Sequence, residues 1–149
     1  MIIVSACLAG CRTRYDGCSR PDVEIVRMVE AGEAIAVCPE QLGGLSTPRP
    51  KSEITDQGDG SDVLDAGAAV VDSNGRDVTG EFIRGAYEVL RIARTFAINQ
   101  AILKDRSPSC GTSRIYKRGD LVSGKGVSTA LLERNGIQVT SPMSAQSKE

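Results

Sequence analysis

Cys7, Cys38 and Cys110 each follow a short apolar run, in "MIIVSAC", "AIAVC" and "AILKDRSPSC". If the runs are neighbouring parallel strands, the three thiols gather outside the carboxyl edge of one sheet. That edge is where open α/β sheets bind their ligands. Thiols brought together there, in a chain with no histidine, have the character of a thiolate metal site. Soft thiolates suit zinc, Cu(I) or an iron–sulfur cluster. A closed zinc site wants a fourth protein ligand, which Cys11 or Cys18 can offer. A four-iron cluster held by three cysteines instead keeps one iron open as a Lewis acid and sulfur acceptor. The cysteines are too dispersed for a ferredoxin-type electron carrier.

Proton-moving groups stand beside two of these cysteines. Glu40 lies two residues after Cys38, across Pro39. Taken alone it reads as a solvated loop charge or a helix-start residue; at a partly desolvated metal edge it reads as a general base. Ser107 and Ser109 bracket Pro108 beside Cys110, so either hydroxyl serves as a turn or cap residue, a proton donor or a substrate contact. In "RYDG", Asp16-Gly17 marks a turn, and Arg14 and Tyr15 are placed at a pocket mouth. Of Lys104, Asp105 and Arg106, the latter two are expected at the surface.

Other chemistries fit less well. Without histidine there is no Ser-His-Asp or Cys-His pair and no Cys/His zinc pattern. "VSACLAGCR" has the look of a cysteine-phosphatase loop. That loop needs its arginine at one set distance from the cysteine, and here Arg12 falls one residue short and Arg14 one beyond. A net charge of −1 leaves no electrostatic footprint for a nucleic-acid polymer. The apolar start is too short for a signal peptide or a membrane span, so the expected compartment is the cytoplasm. There thiols stay reduced, and the 5 cysteines point to metal binding or reactivity more than to disulfides.

The elements that must position these groups follow from hydrophobic period. Ile2–Ser5, Ala34–Val37, Gln100–Lys104 and Ile137–Thr140 read as buried strands. Pro21 opens a helix to about Ala31, with Val23, Val26 and Val29 on one side and Gly32 as its stop. Thr79 caps a long helix to about Thr95 that buries Phe82, Ala86, Leu90 and Ala93. Val127–Asn135 is a shorter helix with Ala130 and Leu131 inward, ended by Gly136. Ala69–Asp72 and Arg76–Val78 suggest a hairpin across "SNG". "TDQGDGSDVLDAG" reads as a polar loop. Strands alternating with helices predict a single three-layer α/β domain over 1–140, with a mainly parallel, Rossmann-like sheet and helices on both faces. Residues 141–149 are expected to form a flexible tail.

Five blocks in order, "SACLAGCRTRYDG", "VCPEQLGGLSTPRP", "DVTGEFIRGA", "AILKDRSPSCG" and "GKGVSTALLERNGI", resemble the thiouracil desulfurase (desulfidase) family over nearly the whole chain. The resemblance implies a [4Fe-4S] cluster on three cysteines that match Cys7, Cys38 and Cys110. It implies two catalytic side chains, a glutamate matching Glu40 and a serine matching Ser107. It also implies a thiolated nucleobase as substrate, with the oxo base and sulfide as products; the small-molecule partner is then a free base or a nucleoside, and the sulfide either leaves or passes to a sulfur acceptor. Relatives carry their second early cysteine just before the "RYDG" arginine, where this chain has Thr13; Cys11 therefore stays outside the implied ligand set. The family is broad, and a shared cluster does not by itself fix a shared substrate. Beside this reading stand a zinc- or thiol-based structural domain and a cysteine-nucleophile enzyme.

Overall fold

A computed structural model describes residues 1–55 and 58–143. Its elements run β1 (Ile2–Ser5), α1 (Val23–Glu30), β2 (Ala34–Val37), α2 (Pro39–Leu42), β3 (Ser52–Ile54), α3 (Gly60–Leu64) and β4 (Val70–Asp72). They continue with α4 (Thr79–Thr95), β5 (Gln100–Ile102), β6 (Arg114–Lys117), β7 (Asp120–Ser123), α5 (Val127–Arg134) and β8 (Gln138–Thr140). Positions 56 and 57 of the expected polar loop, and 144–149 of the expected tail, lie outside the described residues.

The apolar runs pair as a parallel sheet of order β2-β1-β5-β8. Ile3 sits opposite Ile35 on one side and Ala101 on the other. Alternation along a strand sends successive side chains to opposite faces. Ile3 accordingly packs with Phe82, Val89, Leu131 and Leu132 of α4 and α5. Its neighbour Val4 packs with Ile25 of α1. Helices thus cover both faces, as the strand–helix alternation predicts. From β1 the chain steps outward to β2, then returns to lay β5 and β8 on β1's other flank. The strand order reverses between β1 and β5, and the crevice beyond their carboxyl ends is where such a sheet offers a binding site.

Local chemistry moves several boundaries. Asp22, not Pro21, caps α1: its Oδ1 accepts from the backbone N–H groups of Glu24 at 3.1 Å and Ile25 at 3.2 Å. The buried face of α1 is Ile25 with Met28 and Val29 beside it, while Val23 is 87% exposed. Thr79 begins α4 but does not cap it. Its hydroxyl accepts from the Val70 N–H at 2.9 Å, pinning β4 to the helix start. The expected hairpin across "SNG" forms, with Asp72 N–H donating to Arg76 O and Val78 N–H to Val70 O at 2.9 Å each around the Val71–Asp77 bridge, while the other edge of β4 pairs antiparallel with β3. The polar loop carries a short helix, α3, started by a capping box between Asp59 and Asp62. An antiparallel hairpin, β6-β7, precedes α5. Arg118 (φ 52°) and Gly119 (φ 83°) turn it, the double positive φ of a type I′ loop. Among the described residues no helix is long and apolar enough to cross a membrane.

Candidate active site

Three segments leave the carboxyl ends of β2, β1 and β5 and form most of the wall of one cavity of about 470 Å³. Cys7, Cys38, Cys110, Glu40 and Ser107 all line it. So do Arg14 and Tyr15, as the "RYDG" turn suggests. Cys11 and Cys18 are exposed thiols outside that lining.

Each cysteine is held by backbone geometry. Cys7 sits in a 3₁₀ turn, Ala6–Ala9, that begins where β1 stops. The turn closes at Gly10, whose φ of 94° admits glycine readily. Cys38 occupies the N-cap of α2, with Pro39 at its first turn, a position whose missing N–H costs the helix nothing. The short α2 lies so close on α4 that a Cβ on Gly43 would fall 1.9 Å from the Glu81 carbonyl oxygen, and one on Gly85 would fall 1.9 Å from that of Pro39. These two glycines let α2, and Glu40 on it, seat against the long helix.

Cys110 sits in a knot of hydrogen bonds. Ser107 Oγ accepts from the N–H groups of Ser109 (3.1 Å) and Cys110 (3.0 Å). The first turn of α5 takes the loop's carbonyls: Val127 N–H donates to Pro108 O at 2.8 Å, and Ser128 N–H to Ser109 O at 2.9 Å. Thr129 Oγ1 donates to Cys110 O at 2.9 Å. The other end is secured by Asp105, which is 4% exposed and not at the surface as its charge suggests. Its Oδ1 accepts from the backbone N–H groups of Arg106, Thr112, Ser113 and Arg114 at 2.8 to 3.2 Å. Burial alone would raise this carboxyl's pKa; the donors from Ser113, Arg106, Arg114 and Thr112 outweigh it and bring the group down to about 2.

A depressed carboxyl pKa is a stability contribution present above the unfolded pKa and lost as pH falls through the folded one. Asp105→Asn is therefore expected to cost about 2 kcal/mol near neutral pH. The gap from the parent should close as pH drops from about 5 towards 2. Urea midpoints measured across that range check this. Parallel midpoints at every pH would show that Asp105 does not anchor the loop through its charge.

A polar row crosses the cavity wall beside the thiols. Ser109 Oγ donates to Glu40 Oε2 at 2.8 Å and lies 2.9 Å from Ser107 Oγ. Glu40 Oε1 accepts from Arg49 Nε at 2.9 Å, with the two side chains 14% and 6% exposed. Ser109 is one of the two hydroxyls the sequence places beside Cys110, whereas Arg49 carries no distinct signal beyond lying in "STPRP". Tyr116 of β6 and Lys51 complete the outer wall, with the Lys51 ammonium 5.4 Å from the Tyr15 ring centre and 5.5 Å from that of Tyr116.

The thiols respond to one another and to burial. Burial pushes the Cys7 thiol up; Lys104 opposes this, and Cys38 adds to it. Cys110 is pushed up to about 12, chiefly by burial, with Cys7 and Cys38 contributing. A thiol raised by burial is the reverse of an activated phosphatase-type nucleophile. A thiol in that state becomes a metal ligand only by giving up its proton as the metal binds. Among the described residues, no three Cys, Asp or Glu side chains are disposed around a single metal ion. Three thiols on three loops of one cavity are soft donors of the kind an iron–sulfur group takes. Cys7, Cys38 and Cys110 are the residues available to hold it.

Comparison with known proteins gives concordant matches. A family model described as 2-thiouracil desulfurase matches residues 2–143. The uncharacterized protein YbbK of Bacillus subtilis (strain 168) is 42% identical over 144 residues, covering 95% of both chains. The solved structure of the [4Fe-4S]-dependent thiouracil desulfidase TudS superposes with a TM-score of 0.84 at 42% identity, covering 98% of this chain and 93% of that one.

Proposed function

The chain belongs to the 2-thiouracil desulfurase family, and from that premise we propose that it hydrolyses the carbon–sulfur bond of a thiolated nucleobase, free or as a nucleoside, using a [4Fe-4S] cluster held by Cys7, Cys38 and Cys110. The observation that carries this reading is the placement of Glu40, bonded to Ser109 on the wall of a cavity lined by three thiols. The bound cluster would supply a Lewis-acidic iron with affinity for sulfur, drawing electron density from the thiocarbonyl carbon.

The rest is work for the chain's own side chains. Glu40 has one oxygen fixed by Arg49 and the other by the Ser109 hydroxyl. Remaining lone pairs can accept a proton from water as that water attacks the ring carbon. Ser107 Oγ already accepts two backbone N–H groups. Its single proton is free to serve Ser109 or the substrate, which suits it to orient the base and steady the departing sulfur. Water and thiocarbonyl enter; carbonyl and hydrogen sulfide leave. No electrons are transferred, so neither nicotinamide nor flavin is needed. A reducing cytoplasm would keep the three thiols available for the cluster.

Protein purified anaerobically should contain iron and labile sulfide. It should convert 2-thiouracil, or another member of a thiobase panel, to the oxo base with equimolar sulfide and no added reductant. In H₂¹⁸O the new carbonyl should carry the label. Protein that stays colourless after anaerobic reconstitution, or an oxo product without label, would rule this chemistry out.

A further inference from the structure

We propose that Arg49 is a positioning residue for the reaction, aiming the Glu40 carboxylate at the cavity through a five-donor fork; this rests on the reading of Glu40 as the base. A guanidinium carries five N–H donors in a rigid plane, and here each finds an acceptor. Nε donates to Glu40 Oε1 at 2.9 Å. Nη1 donates to Ser46 O at 3.2 Å and Thr47 Oγ1 at 2.8 Å. Nη2 donates to Thr13 O at 2.9 Å and approaches Cys38 Sγ at 4.0 Å. The backbone is fixed too, with Arg49 N–H donating to Tyr15 O at 2.8 Å.

These contacts join three chain segments at this edge of the sheet, the loop after β1, the start of α2 and the "STPRP" loop, beside the Cys38 Sγ–Thr13 O and Gln41 Nε2–Thr47 Oγ1 contacts. Buried ion pairs are weak sources of stability, because desolvation offsets most of their attraction. What a fully occupied fork does supply is direction. Glu40 has a flexible side chain on a helix of only four residues. With Oε1 locked to Arg49, Oε2 is left pointing at Ser109. Lysine keeps the charge of Arg49 but cannot reproduce the planar set of contacts.

The test pairs Arg49→Lys with Glu40→Gln, singly and combined, in anaerobically loaded protein. Arg49→Lys should lower kcat about 100-fold, the cost of misplacing a catalytic group by about an ångström. KM and iron per chain should stay near parental values. In the Glu40→Gln background the same change should add less than about a threefold loss, because both act through one carboxylate. Thr47→Val, which removes the acceptor shared by Arg49 Nη1 and Gln41 Nε2 and leaves Arg49 in place, should lower kcat by about fivefold and is available should Arg49→Lys fold poorly.

A readout independent of turnover is the crystal structure of cluster-free Arg49→Lys, or of Thr47→Val, where the Glu40 carboxylate should have left Ser109 Oγ. Parental kcat in Arg49→Lys, losses that multiply in the double variant, or an unmoved carboxylate would each overturn the role of Arg49. Failure of the broader reading looks different: the parent itself releases no sulfide from any thiobase, and then the position of the carboxylate alone decides whether Arg49 aims it.

Discussion

Cys110→Ala is expected to leave a folded protein that retains almost no iron and has lost at least about a thousandfold in turnover. The short bonds that shape the loop run to the backbone of residue 110, where Ser107 Oγ takes the N–H and Thr129 Oγ1 donates to the carbonyl, while Ser109 Oγ reaches the thiol at 3.7 Å. Alanine preserves both backbone bonds. Removing one small buried sulfur costs on the order of 1 kcal/mol, so the melting temperature should fall by only a few degrees. The chemical cost is of another order. Lewis-acid stabilisation by a metal is worth several kcal/mol, and each 1.36 kcal/mol is about tenfold in rate. Iron and labile sulfide per chain, absorbance in the sulfur-to-iron charge-transfer region, and a thermal melt separate the two effects. A variant that folds, holds parental iron and turns over normally would show that Cys110 is not a ligand, and the three-thiol assignment would have to be rebuilt.

How far the sequence discloses such a site depends on whether the signal is local. β1 and β2 are legible to the residue, because β-branched apolar runs of four end at a cysteine or a polar residue. β5 reads two residues too long for a physical reason. Leu103 N–H still donates to Thr140 O at the end of β8, and the ladder stops at Lys104, whose N–H turns to the Ser5 hydroxyl instead of a strand backbone. The cysteines stand out because all three obey one rule, an apolar run followed by a thiol.

Features made by distant partners stay hidden. Asp105 looks like a surface charge between Lys104 and Arg106; only the folded loop brings four backbone donors onto it. Arg49 sits among prolines and small residues, and nothing local reveals that its fork reaches Thr13 and Glu40. The short helix α3 carries little apolar signal beyond Val63 and Leu64. Its capping box uses Asp62 where the usual pattern has Glu or Gln, so it reads as loop. The β6-β7 hairpin turns on Arg-Gly, a weaker turn signal than Asn-Gly.

Glu40→Gln should retain the cluster and the fold yet lose about 10² to 10⁴ in kcat, the range spanned by a positioned general acid or base. The amide is close in shape to the carboxylate. Its oxygen can still accept from Arg49 Nε, where the carboxylate now does so at 2.9 Å. Its NH₂ can donate to Ser109 Oγ across the present 2.8 Å contact, with the Ser109 hydroxyl turning its proton towards Cys110 Sγ, 3.7 Å away. The polar row therefore survives with one bond reversed. What the amide lacks is the basicity to take a proton from water. A loss confined to kcat, with iron content unchanged and thiobase binding near parental strength, identifies the missing step as proton removal. Alanine at the same position would confuse the matter, because it strands the guanidinium of Arg49 in a buried site without its counter-charge, a defect that costs about 3 to 5 kcal/mol. Should Glu40→Gln turn over thiobase at the parental rate, the base must be sought elsewhere. Lys104, on the same cavity wall, would be the next group to replace: burial lowers its pKa, the direction a lysine needs to act as a base.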